Sequence, residues 1–242
     1  MRVPPLASVR YDQRVNYHRV ISCGRRTDHK VSSLPTITDV ASARTRTAGT
    51  KGVPRAEREE QLLTAAVEEF GRRGYGGASM AAVAERVGVT KPLLYQYFGS
   101  KDALYAAALE RVAGSLTRAL DGALVPGATS LGTPLSVLGA IFGTLEGQRH
   151  AWFVLYDRTL PATGALREAA ERHRAAIDGL AAAGSAEFLA ARGIGDPLDC
   201  DALKHLWTGT VSTLVTWWIH HPGESAQEMA ERCRRLIAAI VA

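Results

Sequence analysis

Residues 78–101, ASMAAVAERVGVTKPLLYQYFGSK, place two short helical periods on either side of a glycine turn, and few backbone arrangements satisfy all of its signals together. Met80, Val83, Ala84 and Val87 recur at the i, i+3, i+4, i+7 spacing of one helix face, with Ser79 ahead of them as an N-cap. Gly88 then sits where a helix ends in the left-handed conformation. Thr90 offers a second N-cap, and Pro92 falls in the first turn that follows, where its missing N–H costs nothing. A second helix therefore begins about three residues after the first ends, which is the spacing of a helix-turn-helix. On it Leu94 and Phe98 can pack inward, turning Pro92, Leu93 and Gln96 away from the core, with Lys91, Tyr95 and Tyr97 on the flanks. These outward residues suit a DNA groove. Lys91 and Lys101 can neutralise phosphates, Tyr95 and Tyr97 can hydrogen-bond them, Gln96 can read a base edge such as that of adenine, and Leu93 can meet a thymine methyl.

Residues 88–104, GVTKPLLYQYFGSKDAL, follow the pattern Gly-Val-Ser/Thr, three variable residues, Leu-Tyr, one variable residue, His/Tyr-Phe, then Ser-Lys. In this the chain resembles the TetR/AcrR-type transcriptional regulators. The likeness covers roughly residues 55–104 by motif and the remainder by helical layout and length. It implies an all-α protein with three parts. Residues 1–52 would be a tail, 53–101 a three-helix DNA-binding domain, and 102–242 a larger helical domain for effector binding and dimerisation. By the same resemblance the last two helices pair with their twins in a homodimer, and the two helix-turn-helix units meet successive major grooves of a palindromic operator of double-stranded DNA. The expected function is a cytoplasmic repressor released from that operator by a small molecule. The alternatives are a non-specific architectural DNA binder and a regulator without ligand. The DNA-binding candidates are Ser79, Thr90, Lys91, Pro92, Leu93, Tyr95, Gln96, Tyr97 and Lys101. Pro92 and Leu93 leave fewer hydrogen-bonding groups outward than some members of the family carry, so specificity leans on Gln96, Lys91 and DNA shape.

Bulk charge does not carry the DNA argument, although the pI is near 9.3. Residues 1–52 hold ten Lys/Arg against three Asp/Glu, residues 53–102 hold seven of each, and residues 103–242 hold twelve against fourteen. The basicity lies in the tail, and DNA binding must rest on where Arg55, Lys91 and Lys101 stand. The tail shows no sustained period and no apolar run of a secretory signal. It is expected to be a solvated disordered segment or to lie upstream of the true start, with a DNA-contacting basic arm as the competing reading.

Beyond the tail the pattern is helical. Leu62, Leu63, Ala66, Val67 and Phe70 form an apolar stripe from Arg55 to the glycine-rich break at Gly74–Gly77. Ser100 caps a long rod in which Leu104, Ala108, Val112, Leu116 and Leu120 step by four. After a loop at 125–133, breaks are expected at Pro161, at Gly193–Pro197 and at His221–Gly223. Residues 202–220 are apolar nearly all round, which argues burial on two sides, and are too short to span a membrane. The last helix opens with a Ser225/Glu228 capping box and carries Met229, Cys233, Leu236, Ile237, Ile240 and Val241 on one face. Within the region where the resemblance places an effector pocket, Trp152, Phe153, Tyr156, Trp207 and Trp217 are the candidates for an apolar or aromatic ligand. His150, Asp157, Arg158 and His173 are read mostly as solvated surface.

Neither catalysis nor a metal is expected. Cys200 and His205 stand alone, His220 and His221 are adjacent, and Cys233 falls on an apolar face, so no paired zinc spacing appears. No phosphate loop, nucleophile elbow or carboxylate-rich helix is present, and no cofactor is implied.

Overall fold

The computed structural model describes residues 52–124 and 132–241, without the side chain of Val241. The expectations for the tail before residue 52, and for the loop at 125–131, lie outside these residues. The described residues belong to one compact unit and fold into helices joined by short turns.

Helix α1 (Arg55–Gly77) buries Leu62, Ala65, Ala66, Val67 and Phe70. It is broken at Gly74, whose φ of 66° and ψ of 170° leave the helical region. Helix α2 (Met80–Val87) starts at Ser79, whose side chain accepts from the Ala81 N–H, and it ends on Gly88 at φ 71°, ψ 30°, in the left-handed region. Helix α3 (Lys91–Phe98) starts at Thr90, whose hydroxyl accepts from the Leu93 N–H, with Pro92 inside the first turn. Helix α4 (Lys101–Ala123) is capped by Ser100 and buries Leu104, Ala108, Val112, Leu116 and Leu120, the residues that step by four.

The remaining helices follow the expected breaks. Helix α5 (Gly132–Leu145) leads to a 3₁₀ turn (Arg149–Ala151) that runs directly into the single-turn α6 (Trp152–Leu155). Helices α7 (Ala165–Ala190), α8 (Pro197–Ile219) and α9 (Ala226–Val241) complete the chain. At the start of α9, Ser225 and Glu228 exchange hydrogen bonds as a capping box, with the Ser225 N–H donating to Glu228 at 2.7 Å and the Glu228 N–H donating to the Ser225 hydroxyl at 3.2 Å. One continuous apolar core runs from α1 and α2 through α4, α5 and α6 to α8 and α9.

Within the single chain, helix α8 is covered on one side. Val211, Val215 and Trp218 are buried, whereas Leu206 and Trp217 remain 68% and 37% exposed in the single chain. On α9, Met229 and Cys233 are buried, but Leu236 and Ile240 are 50% and 82% exposed. The intramolecular neighbours α5 and α7 cover only one stripe of each helix.

The turn between α8 and α9 is fastened by a residue that sequence reading left unmarked. Arg149 donates to the carbonyls of Trp218 at 2.9 Å and His221 at 3.0 Å, and also to those of Pro222 and Glu224. Its guanidinium lies 4.0 Å from the centroid of the Trp218 ring. A planar cation with five donors thus closes the carboxyl end of α8, where helix carbonyls lack partners. Arg149→Ala is expected to cost about 2–4 kcal/mol. Thermal melting reads this as a fall of roughly 5–15 °C, and a melting point within about 2 °C of the parent would remove Arg149 from the stability of the turn.

Candidate nucleic-acid interface and effector cavity

Helix α3 has one buried face and one free face. Leu94 is fully buried and Phe98 is half-buried against the core. Lys91, Pro92, Tyr95 and Gln96 are exposed, while Leu93 and Tyr97 are half-buried. The exposed residues share the surface that the sequence assigns to DNA. Lys91 Nζ stands 5.8 Å from the Tyr95 ring, and the Arg55 guanidinium stands 5.3 Å from the Tyr97 ring, so cations from α1 and α3 flank both tyrosines. Ser79 and Thr90 are exposed but spend their side-chain oxygens on helix caps. Each can still present its hydroxyl proton to a phosphate. Lys101 lies over the ring of Tyr75 at 4.7 Å. The Tyr75 hydroxyl donates to Asp102 at 2.5 Å, and that bond pushes the phenol up to about 12. It remains a neutral donor at physiological pH.

The start of α2 is tied to α1 by Glu69, a buried carboxylate that accepts from the Ser79 N–H at 3.2 Å and lies 3.4 Å from Arg73 and 3.9 Å from Arg86. Sequence reading missed it, because a glutamate beside an apolar stripe looks like a solvated flank.

The contacts between α1 and the 3₁₀ turn are close. A Cβ on Gly71 would stand 2.2 Å from the carbonyl oxygen of His150, so α1 lies directly on that backbone. His150 is half-buried and faces Glu68 at 3.4 Å; burial holds its imidazole below the ordinary value, with Glu68 pulling the other way.

Asp157 is 4% exposed, against the expectation of a solvated side chain. Four donors explain its burial. One oxygen accepts from the Tyr75 N–H at 2.6 Å and the Tyr105 hydroxyl at 3.2 Å, and the other accepts from the N–H and hydroxyl of Thr159, each at 2.7 Å. Tyr105 is itself buried, and its hydroxyl also donates to the Val154 carbonyl at 2.7 Å. Burial and the neighbouring Asp157 push that phenol far up.

A cavity of about 480 Å³ opens among α4 to α9. Leu120, Val137, Ile141, Ile177 and Val211 make its wall apolar, and Ile237 brings α9 to it. Of the candidates read from sequence, Trp152, Tyr156 and Trp207 line it. Phe153 packs on the core outside it, and Trp217 stacks on His221 with centroids 3.7 Å apart, also outside it. Among the described residues Glu187 is the one charged residue along the wall, with no lysine, arginine or histidine. Phe188, one turn beyond Gly184 on α7, is a lining ring that the sequence reading did not single out. Burial pushes the Tyr156 phenol up to about 12. Among the described residues no group of histidine, cysteine and carboxylate side chains could hold a metal ion, and no helix is long and apolar enough to cross a membrane.

The described residues thus hold a capped helix-turn-helix with an exposed, cation-flanked second helix, joined to a helical body with an apolar cavity. The family model described as "Bacterial regulatory proteins, tetR family" matches residues 62–108. The HTH-type transcriptional activator FasR of Mycolicibacterium smegmatis is 37% identical over 105 residues, covering 43% of this chain and 48% of FasR. The HTH-type transcriptional regulator RutR of Escherichia coli is 34% identical over 67 residues, covering 28% of this chain and 32% of RutR. The matched part thus spans about half the length of FasR and a third of RutR. Among solved structures, a TetR-family regulator from Bordetella parapertussis aligns with a TM-score of 0.59 at 20% identity, over 72% of this chain and 90% of that one. FadR from Bacillus subtilis, solved in complex with stearoyl-CoA, aligns with a TM-score of 0.54 at 19% identity, over 71% of this chain and 95% of that one. The structural likenesses establish the fold. Residues 62–108 are thus similar in sequence to the TetR family of bacterial regulatory proteins, and the helical body beyond them shares the fold of solved TetR-family regulators.

Proposed function

We propose that this protein is a sequence-specific DNA-binding regulator, with residues 53–101 as its DNA-binding domain and 102–242 as its effector-binding and dimerisation domain. It acts as a repressor, released from a palindromic operator when a small apolar ligand enters the cavity. The observation that carries this reading is the free face of α3, where Lys91, Tyr95 and Gln96 stand exposed on a helix whose opposite face is locked by Leu94. A helix so held fits the major groove, which is about 12 Å wide. Thr90, Tyr97 and Lys101 serve the phosphates, Ser79 serves them from the start of α2, and Pro92 and Leu93 give apolar contact with the bases. Specificity then rests on Gln96, Lys91 and DNA shape.

The cavity supports an uncharged, elongated or aromatic effector, because its wall offers apolar area and no basic side chain for an anion. Its volume falls within the range of about 300–1,000 Å³ usual for ligand sites. Regulation follows from linkage. A ligand that favours the conformation poorly matched to DNA weakens DNA binding by the same factor by which DNA weakens ligand binding.

The testing experiment is binding of the purified protein to a labelled duplex from upstream of its own coding sequence, competed with random duplex. Protection of a palindrome that survives competition supports the reading, whereas equal binding to both duplexes favours a non-specific DNA binder. On the protected site, Lys101→Ala is expected to weaken binding to all duplexes alike and to lower the salt dependence by about one phosphate contact. Gln96→Ala is expected to relax discrimination at one or two base pairs by about 1–3 kcal/mol. Unchanged base preference in Gln96→Ala would take Gln96 out of base readout.

A further inference from the structure

Asp157 and Thr159 are used neither by the DNA-facing helix nor by the cavity wall, yet their side chains reach back to α1 and α4 in three long-range hydrogen bonds. The reason lies in α1. Its helical path is interrupted at Gly74, and the chain resumes a single turn at Tyr75–Gly77 before entering α2. The N–H groups that open a helical turn have no acceptor within that turn. The Ala78 N–H donates to the Gly74 carbonyl at 3.0 Å, and the N–H groups of Tyr75 and Gly76, just after the break, find side-chain acceptors from outside the helix. Asp157 takes the Tyr75 N–H at 2.6 Å, and the Thr159 hydroxyl oxygen takes the Gly76 N–H at 2.9 Å. The Thr159 hydroxyl then donates to Asp157 at 2.7 Å, joining the two acceptors to each other. An N-cap is normally supplied by the residue just before its helix. Here it comes from more than 80 positions later in the chain. Tyr156, beside Asp157 in the chain, lines the cavity, so the cap stands between the cavity and the helix-turn-helix.

We propose that Asp157 and Thr159 are positioning residues for DNA recognition: capping the broken turn of α1 in trans, they fix the angle at which α2 and α3 leave the body. This rests on the DNA-binding reading above. In a symmetric dimer that angle sets the distance between the two recognition helices, which must match half-sites about 34–36 Å apart. The cap contributes no contact to DNA. Its loss therefore shows in tolerance of half-site spacing, whereas the loss of a DNA contact shows in affinity for a single half-site.

The test takes an operator selected by the wild-type protein from a random duplex pool, and the same operator with one base pair inserted between its half-sites. Thr159→Val keeps the shape of the side chain and removes both of its hydroxyl bonds, whereas Thr159→Ser keeps the hydroxyl. The preference of the wild type for native spacing is expected to fall about five-fold in Thr159→Val and to be retained in Thr159→Ser, with dimer mass unchanged. Amide hydrogen exchange at Tyr75 and Gly76, read on the full-length protein, is expected to quicken in Thr159→Val alone. Should the valine variant not fold, Asp157→Asn, which keeps the volume and turns an amide donor toward donors, gives the same two readouts. Wild-type spacing preference together with wild-type exchange in the variant would overturn the cap while leaving the DNA-binding reading intact. Failure of the wild-type protein to select any duplex would overturn that reading, and the positioning role with it.

Discussion

Gly74→Ala is expected to cost the fold about 3–5 kcal/mol, a large effect for the addition of one methyl group. Two separate causes act. At φ 66° and ψ 170° the backbone of Gly74 occupies a region that essentially only glycine enters, so any side chain there is strained by about 1–3 kcal/mol. A Cβ at that position would also stand 2.5 Å from Thr159 Oγ1 and 2.9 Å from its methyl carbon, which are the atoms of the trans cap. The two can be separated by repeating the substitution in a Thr159→Ala background. The alanine lacks the colliding atoms, so the collision is relieved while the backbone strain remains. Thermal melting of the four proteins gives the cycle, with Gly74→Ala alone lowering the midpoint by roughly 8–15 °C. If Gly74→Ala melted with the wild type, the interruption of α1 would be a local choice that the chain can abandon, and the turn at Tyr75–Gly77 would need no cap.

That contrast between local and distant causes also decides how much of the molecule is legible in the sequence. Ser79, Thr90, Ser100 and the Ser225/Glu228 pair could be read as caps because each acts on an N–H within three residues of itself. The rod of α4 could be read because Leu104, Ala108, Val112, Leu116 and Leu120 all answer to one neighbouring face. The outward face of α3 followed from Leu94 and Phe98 by helix geometry alone. Asp157 could not be read. Its burial depends on donors at Tyr75 and Tyr105, and no local pattern tells a carboxylate that will find four donors from one that will find water. Arg149 is hidden for the same reason, since the carbonyls it closes lie some 70 residues away. The cavity was legible only as a supply of rings. Trp152, Tyr156 and Trp207 reach it while Phe153 and Trp217 do not, and that division is set by tertiary packing that no local pattern records. The second cover expected for helix α8 is not supplied by the single chain, because an apolar residue carries no mark of whether its cover comes from its own chain or from another.

The exposed residues of α8 and α9 lead to the second large expected effect. Trp217 on α8, and Leu236 and Ile240 on α9, are exposed in the single chain, as is Leu206 at the rim of the cavity, and Arg232 of α9 lies over the Trp217 ring at 5.3 Å, which joins the two helices at that point. Large apolar side chains gathered on neighbouring helices suit a partner surface of the same kind. On the proposed reading of 102–242 as a dimerisation domain, that surface is the same two helices of a second copy. In a two-fold dimer every residue of the interface occurs twice, so one substitution acts at two places. Leu236 is the informative position, because it is half exposed in the single chain and stands outside the cavity wall. Leu236→Asp should leave the folded monomer almost unaffected, as exposed substitutions usually change stability by no more than about 0.5 kcal/mol. Burying two carboxylates at the dimer interface would instead cost about 2–4 kcal/mol at each place, enough to weaken association by roughly a thousand-fold or more. Sedimentation at micromolar concentration should show a monomer with an unchanged helical circular dichroism spectrum. Operator affinity should fall with it, because two linked half-site contacts become two independent ones. A Leu236→Asp protein that stayed dimeric would place the interface elsewhere. The spacing that the Asp157 and Thr159 cap is proposed to set would then have to be measured from a different two-fold axis.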